Sequence, residues 1–222
     1  RIARDAPRGW YPRYFLGEQQ PWTVIGIEKD DAEALMDAAG AIELRKLGPR
    51  LEPFLSVNGK LITWADVSLQ QSMRDVSEGT CVPTVRWNWN DLSLEISAMV
   101  YGEPGKSQLA AVYAITNHGE RAKGEFYLTL RPFQVLPPWH ELNLTGGTAK
   151  LSSISRNGRI LSVDGDLLLL QGNFDRFCAR THSSGEIIED LSAGGPPEMD
   201  FADCDLHAAS AALRATFDLI AG

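Results

Sequence analysis

The densest gathering of chemistry-bearing side chains lies in the run Arg131-Pro132-Phe133-Gln134-Val135-Leu136-Pro137-Pro138-Trp139-His140-Glu141. It brings a cation, two aromatic plates, an amide, a base and an acid close together in sequence. Its paired prolines prevent ladder pairing and present the following side chains on an irregular loop. Planar rings stack on the apolar faces of sugar rings, and amide and ionised groups take hydroxyls. Arg131, Phe133, Gln134, Trp139, His140 and Glu141 are therefore the candidate contacts for carbohydrate or for a neighbouring domain. None is assigned a catalytic role: adjacent side chains such as His140 and Glu141 diverge and rarely serve one substrate atom as acid and base, and the plainer reading is a solvated loop.

Other chemistry-bearing residues are weaker candidates. Six Trp invite a reading as sugar platforms, with Trp10, Trp22, Trp87, Trp89 and Trp139 the ones to weigh. Trp87 and Trp89 share a strand face with Val85, which favours core packing. Asp200, Asp203, Asp205 and His207 are oxygen-rich, but the turn glycine and closing glutamate of a calcium loop are missing, so they read as a mobile acidic loop. Gly105-Lys106-Ser107 lacks the upstream glycine of a phosphate loop and precedes a strand, so it reads as a turn. His118 sits in a turn and His182 precedes Ser183-Ser184-Gly185; neither has a sequence neighbour that would fix its tautomer. No metal and no cofactor is expected.

The elements that must carry these residues are mostly strands. Leu92, Leu94, Ile96, Ala98 and Val100 alternate with polar residues, the period of a strand with one buried face. Val85–Trp89 and Leu92–Val100 read as one hairpin through Asn90-Asp91. Leu109–Thr116 and Phe126–Leu130 read as a second through Asn117-His118-Gly119-Glu120. Asn58-Gly59, Asn157-Gly158 and Asp164-Gly165 mark tight turns whose central residues need positive φ. Residues 31–39, after Asp30 and before Gly40, are Ala-rich and predict the single short helix. Residues 1–21 read as an extended lead-in, 183–206 as a long loop, and Leu213–Leu219 as a strand. About twelve to fifteen strands exceed one twisted open sheet, which implies two packed sheets or a closed barrel. The expected fold is all-β: a two-layer antiparallel β-sandwich with one short helix, residues 1–222 forming a single domain.

Composition narrows the partners. A net charge of −8, with 21 scattered Lys and Arg, argues against nucleic acid. No apolar run approaches the roughly 20 residues of a membrane span, and Leu167–Leu170 reads as a buried strand. Cys81, Cys178 and Cys204 have the number and spacing of buried, unpaired thiols and mildly favour a reducing, cytoplasmic setting. The chain starts at Arg1 and ends in a strand, which suggests a piece excised from a longer polypeptide.

The order of these segments resembles the N-terminal β-supersandwich domains, galactose-mutarotase-like in architecture, that precede an (α/α)6 barrel in glycoside hydrolases and phosphorylases of α- and β-glucans. Val85–Trp89 with Leu92–Val100, Ala110–Asn117, and Glu125–Arg131 with Pro132-Phe133 carry the likeness, over roughly residues 15–175. It is also similar to large bacterial proteins described as carrying coagulation-factor-5/8-type domains. The resemblance implies an accessory domain packed on a downstream helical barrel that holds the general acid and base, with a loop lent to carbohydrate binding. Two alternatives stay open: a small aldose-epimerase-like enzyme, and a free-standing carbohydrate- or protein-binding sandwich.

Overall fold

The computed structural model describes residues 1–77, 80–138 and 147–221. Strand accounts for 52% and helix for 8%, which fixes the all-β class. Among the described residues there are sixteen strands: β1 Trp22–Ile25, β2 Ala34–Asp37, β3 Ile42–Glu43, β4 Arg50–Val57, β5 Lys60–Ile62, β6 Ser68–Ser77, β7 Thr80–Trp89, β8 Leu92–Tyr101, β9 Gln108–Asn117, β10 Arg121–Arg131, β11 Ser153–Asn157, β12 Ile160–Val163, β13 Asp166–Leu169, β14 Arg176–Arg180, β15 Phe201–Asp203 and β16 Ser210–Ile220. Two short helices, α1 Ile2–Asp5 and α2 Ile187–Ser192, and 3-10 turns at Arg13–Leu16 and His182–Ser184 complete the elements.

An eight-stranded sheet runs β1-β2-β3-β4-β10-β16-β14, with β5 paired on β4. Two four-stranded sheets, β6-β7-β8-β9 and β13-β12-β11-β15, oppose it. The shared core is built by strand alternation: Met36, Ile42, Leu51, Leu55, Leu128 and Leu130 of the large sheet meet Val85, Trp87, Leu94 and Ile96 of one small sheet and Ile154, Leu161 and Val163 of the other. The large sheet is also covered on its second face. There α2 lays Ile187, Ile188 and Leu191 on Phe54, Tyr127 and Ala212, and the N-terminal segment buries Tyr11 and Tyr14.

The turn chemistry matches its sequence signals. Asn58 and Gly59 (φ 54 and 76) join β4 to β5, and Asp164 and Gly165 (φ 48 and 94) join β12 to β13. Five expectations are corrected. Residues 31–39 hold β2 and its flanking turns rather than a helix: Leu35 and Met36 are both buried, on opposite faces of a strand paired on each side. Asp30 still caps locally, its Oδ1 accepting from the Ala32 amide at 3.0 Å, but burial of both faces overrides the Ala-rich propensity. The second expected hairpin is a crossing between sheets: β9 pairs with β8, whereas β10 pairs with β4 and β16. Asn117 stitches that crossing, its Nδ2 donating to the carbonyls of Gly119 and Leu219, both at 3.1 Å. Residues 183–206 contain α2 and β15, because the apolar spacing of Ile187, Ile188 and Leu191 finds a surface to cover. The lead-in carries α1 and a 3-10 turn. The leucine run is an edge strand with Leu167 and Leu169 exposed.

The cysteines differ in exposure. Cys178 and Cys204 are buried, whereas Cys81 is exposed and its thiol donates to Asp75 Oδ1 at 2.9 Å. That bond and the aspartate charge push the Cys81 thiol above its usual range. One thiol is expected to react with Ellman's reagent in the native protein, faster as pH rises, and two more only in denaturant. Rapid titration of all three in the native state would refute this placement.

Candidate functional site: the cleft at the end of β10

Proline ends β10. Beyond Arg131 the chain makes a short antiparallel contact in which Phe133 faces Thr148, the Ala149 amide donates to the Pro132 carbonyl at 3.0 Å and the Gln134 amide to the Gly147 carbonyl at 3.1 Å. Gln134 Oε1 closes this base by accepting from the Gly147 amide at 2.8 Å. From the N-terminal segment, Tyr14 points its hydroxyl at both carbonyls, Gln134 at 2.8 Å and Gly147 at 2.6 Å.

This base forms one wall of a cleft of about 760 Å³. Phe133 and Gln134 share the cleft with the turn after β3 (Arg45, Leu47), His182 and Glu186 ahead of α2, His207 ahead of β16 and Ser210 at its start. The size suits a small molecule. His207 Nδ1 lies 2.7 Å from Ser152 Oγ, and His182 Nδ1 lies 3.8 Å from Glu186 Oε1. Asp164 is exposed and accepts from the Ser153 amide at 2.7 Å, and Arg45 is engaged by Asp166 at 2.9 Å. Phe133 is braced edge-on by Tyr11 and Phe15, at 5.9 and 5.5 Å between centroids.

Behind the cleft the second face of the large sheet holds a buried charge cluster. Register places Glu43 opposite Arg50 and Arg50 opposite Arg131. Arg131 donates to Glu52 at 2.9 Å and to the Trp10 carbonyl at 2.6 Å, and its guanidinium stacks between Phe133 and Tyr11. Arg50 pairs with Glu52 and, at 3.5 Å, with Asp37. Asp37 Oδ1 accepts from the amides of Ala39 and Ala41 at 2.8 and 2.9 Å. Burial raises the Asp37 carboxyl despite Arg50, and burial raises Glu43 despite the Val135 amide.

The sequence-derived contacts thus divide. Phe133 and Gln134 line the cleft. Arg131 does not; it is fully buried and serves the cluster that supports Phe133. Trp139, His140 and Glu141 lie outside the described residues. Trp87 is buried and Trp89 packs on the core, while Trp10 and Trp22 pack against apolar clusters on the second face. His118 does have a polar neighbour, Ser93 Oγ at 2.9 Å from its Nε2. Sequence reading missed Arg45, Glu186, His182, His207 and Ser210 as one group. Their only local signal was the presence of two histidines beside polar loops; strand pairing far apart in sequence brings them together. Among known proteins, no family model and no curated sequence matches this chain.

Proposed function

We propose that the chain is a noncatalytic β-sandwich module of a carbohydrate-active protein that binds a hydroxylated ring in the cleft at the end of β10. The resemblance described above supplies the parent class, a glycoside hydrolase or phosphorylase, and a helical barrel as the partner domain. One observation carries the ligand class: a braced aromatic residue, Phe133, lines a ligand-sized cleft together with Gln134, Ser210, His182, His207 and Glu186. A ring face plus convergent hydroxyl partners is the recognition chemistry of neutral sugars.

Titration with maltopentaose and cellopentaose, followed by amide NMR shifts, is expected to give millimolar or tighter binding that perturbs Thr148 and Ser210. Phe133→Ala should weaken it about tenfold, the loss of one stacking contact. Binding of neither oligosaccharide, or binding insensitive to Phe133, would reject this reading.

A second reading, an aldose-epimerase-like enzyme, is favoured by the presence of His182, His207 and Glu186 in the same cleft. It requires a proton donor and acceptor at one sugar. Polarimetry on freshly dissolved α-glucose separates the two: mutarotation faster than buffer, and lost in His182→Asn, selects the enzyme.

A further inference from the structure

We propose that β13 is a self-association edge: two copies of the chain pair antiparallel through Leu167 and Leu169 about a two-fold axis at Leu168, joining two four-stranded sheets into one of eight. This contact lies outside the cleft and is independent of the carbohydrate reading above.

β13 ends the sheet β13-β12-β11-β15 and is paired on one side, to β12. Just past it, the Leu170 amide donates to the Arg159 carbonyl at 2.8 Å. Bonded pairs alternate along an antiparallel ladder, so Leu168 and Leu161 form the next bonded pair. Leu167 and Leu169 therefore turn their N–H and C=O groups away from β12, toward the open side. Their side chains stand on the outer face, 72% and 68% exposed, with Ile160 of β12 opposite Leu169 at 45%. Free main-chain groups beside exposed leucines are a template for another strand.

The usual guards of an edge are missing here. Asp166-Leu167-Leu168-Leu169 holds no Lys and no Pro, and its ladder to β12 runs without a register shift. β6 is also an edge, but it carries Arg74 and Asp75 and a register shift between Asp75 and Ser77, devices that keep edges apart. β14 is met on its outer side by Met199.

The register points to a second copy as the occupant. A two-fold axis normal to the sheet keeps every residue on its own face, so an axis at Leu168 sets Leu167 opposite Leu169 of the second copy, twice. Both residues already aim their main-chain groups outward, and the two pairs close four hydrogen bonds. On the outer face Ile160 and Leu169 then continue into Leu167 of the second copy, one apolar row on each side of the axis.

The charges obey the same axis. Asp166 comes opposite Leu170 of the second copy, next to its Arg159. Arg159 Nε donates to the Leu170 carbonyl at 2.8 Å, which lays the guanidinium at this end of the strand, and among the described residues it has no carboxylate partner. Asp166 in the single chain is held by the exposed Arg45. The acidic start of β13 thus meets its basic finish at both ends of the joint. An unrelated strand would have to reproduce that match, whereas a second copy has it by symmetry.

Sedimentation equilibrium of the whole chain, up to about 1 mM, is expected to show a reversible monomer–dimer equilibrium with a Kd between about 1 μM and 1 mM, the scale of a small, weak interface. Amide hydrogen exchange at Leu167 and Leu169 should slow as concentration rises, while Leu168, already bonded to β12, changes little. Replacing both exposed leucines, Leu167→Lys with Leu169→Lys, should leave the urea midpoint in place and raise the Kd at least about tenfold, because like charges then stand opposite. Asp166→Arg and Arg159→Glu should each weaken association about threefold, the scale of exposed ion pairs, and together restore it. A chain that stays monomeric at the highest concentration overturns the proposal. So does a dimer that the lysines leave intact, that the paired reversal fails to restore, or whose exchange protection falls on β6.

Discussion

Arg131→Ala is expected to cost about 3–5 kcal/mol of folding free energy, the range for removing one partner of a buried ion pair. The guanidinium is fully buried and holds Glu52 at 2.9 Å. Removing it leaves Arg50, among the described residues, as the one cation paired with Glu52 and Asp37, with Glu43 close by in register. It also strips the Trp10 carbonyl of its 2.6 Å donor and removes the cation held between Tyr11 and Phe133, so the N-terminal segment loses a tether along with the cluster. Arg131→Lys keeps the charge but not the planar fork that serves carboxylate, carbonyl and two rings at once, and should fall between wild type and alanine. Equilibrium urea unfolding measures both. A loss below about 1 kcal/mol for Arg131→Ala, the scale of an exposed pair, would show that the cluster is wet in solution and does not support the cleft.

Arg131 also shows where sequence reading stops. Its neighbourhood in sequence, a cation before prolines and aromatics, suggests a ligand-facing side chain. Its position in space is set by register with Arg50 on β4 and by the N-terminal segment laid over it, neither of which is written near residue 131. Local features were legible: the Asn-Gly and Asp-Gly turns, the alternation along β8, the strand at β16, and the exit of the chain from the sheet at Pro132. What failed were segments whose state is decided by distant partners. β2 is Ala-rich enough for a helix and becomes a strand because both of its faces are buried between β1 and β3. β9 and β10 follow each other through a four-residue turn signal yet join different sheets. Leu167 and Leu169 lie outward because β13 is the edge of a small sheet. The cleft follows the same rule: Phe133 and Gln134 could be picked out from their loop, whereas the turn after β3 and the approaches to α2 and β16 reach them only through the folded sheet.

Trp87→Ala is expected to lose about 3–5 kcal/mol, the cost of deleting a large buried aromatic from a packed core. Trp87 is 2% exposed and stands opposite Leu69 on β6 and Leu94 on β8, where its ring fills space between the two sheets. Its indole Nε1 donates to the Ala39 carbonyl at 2.8 Å. Ala39 belongs to the turn whose amides hold Asp37 Oδ1, so the ring pins, from the far layer, the turn that places a carboxylate in the charge cluster. Trp87→Phe should retain most of the apolar burial and lose about 1–3 kcal/mol through the unpaired carbonyl and the smaller ring. In that variant the Ala39 and Ala41 amides should shift while those of Val135 and Thr148 stay in place. Urea unfolding gives the energies and NMR the local effect. If Trp87→Ala leaves stability intact and instead abolishes binding of maltopentaose or cellopentaose, the ring is a sugar platform rather than the keystone between the sheets.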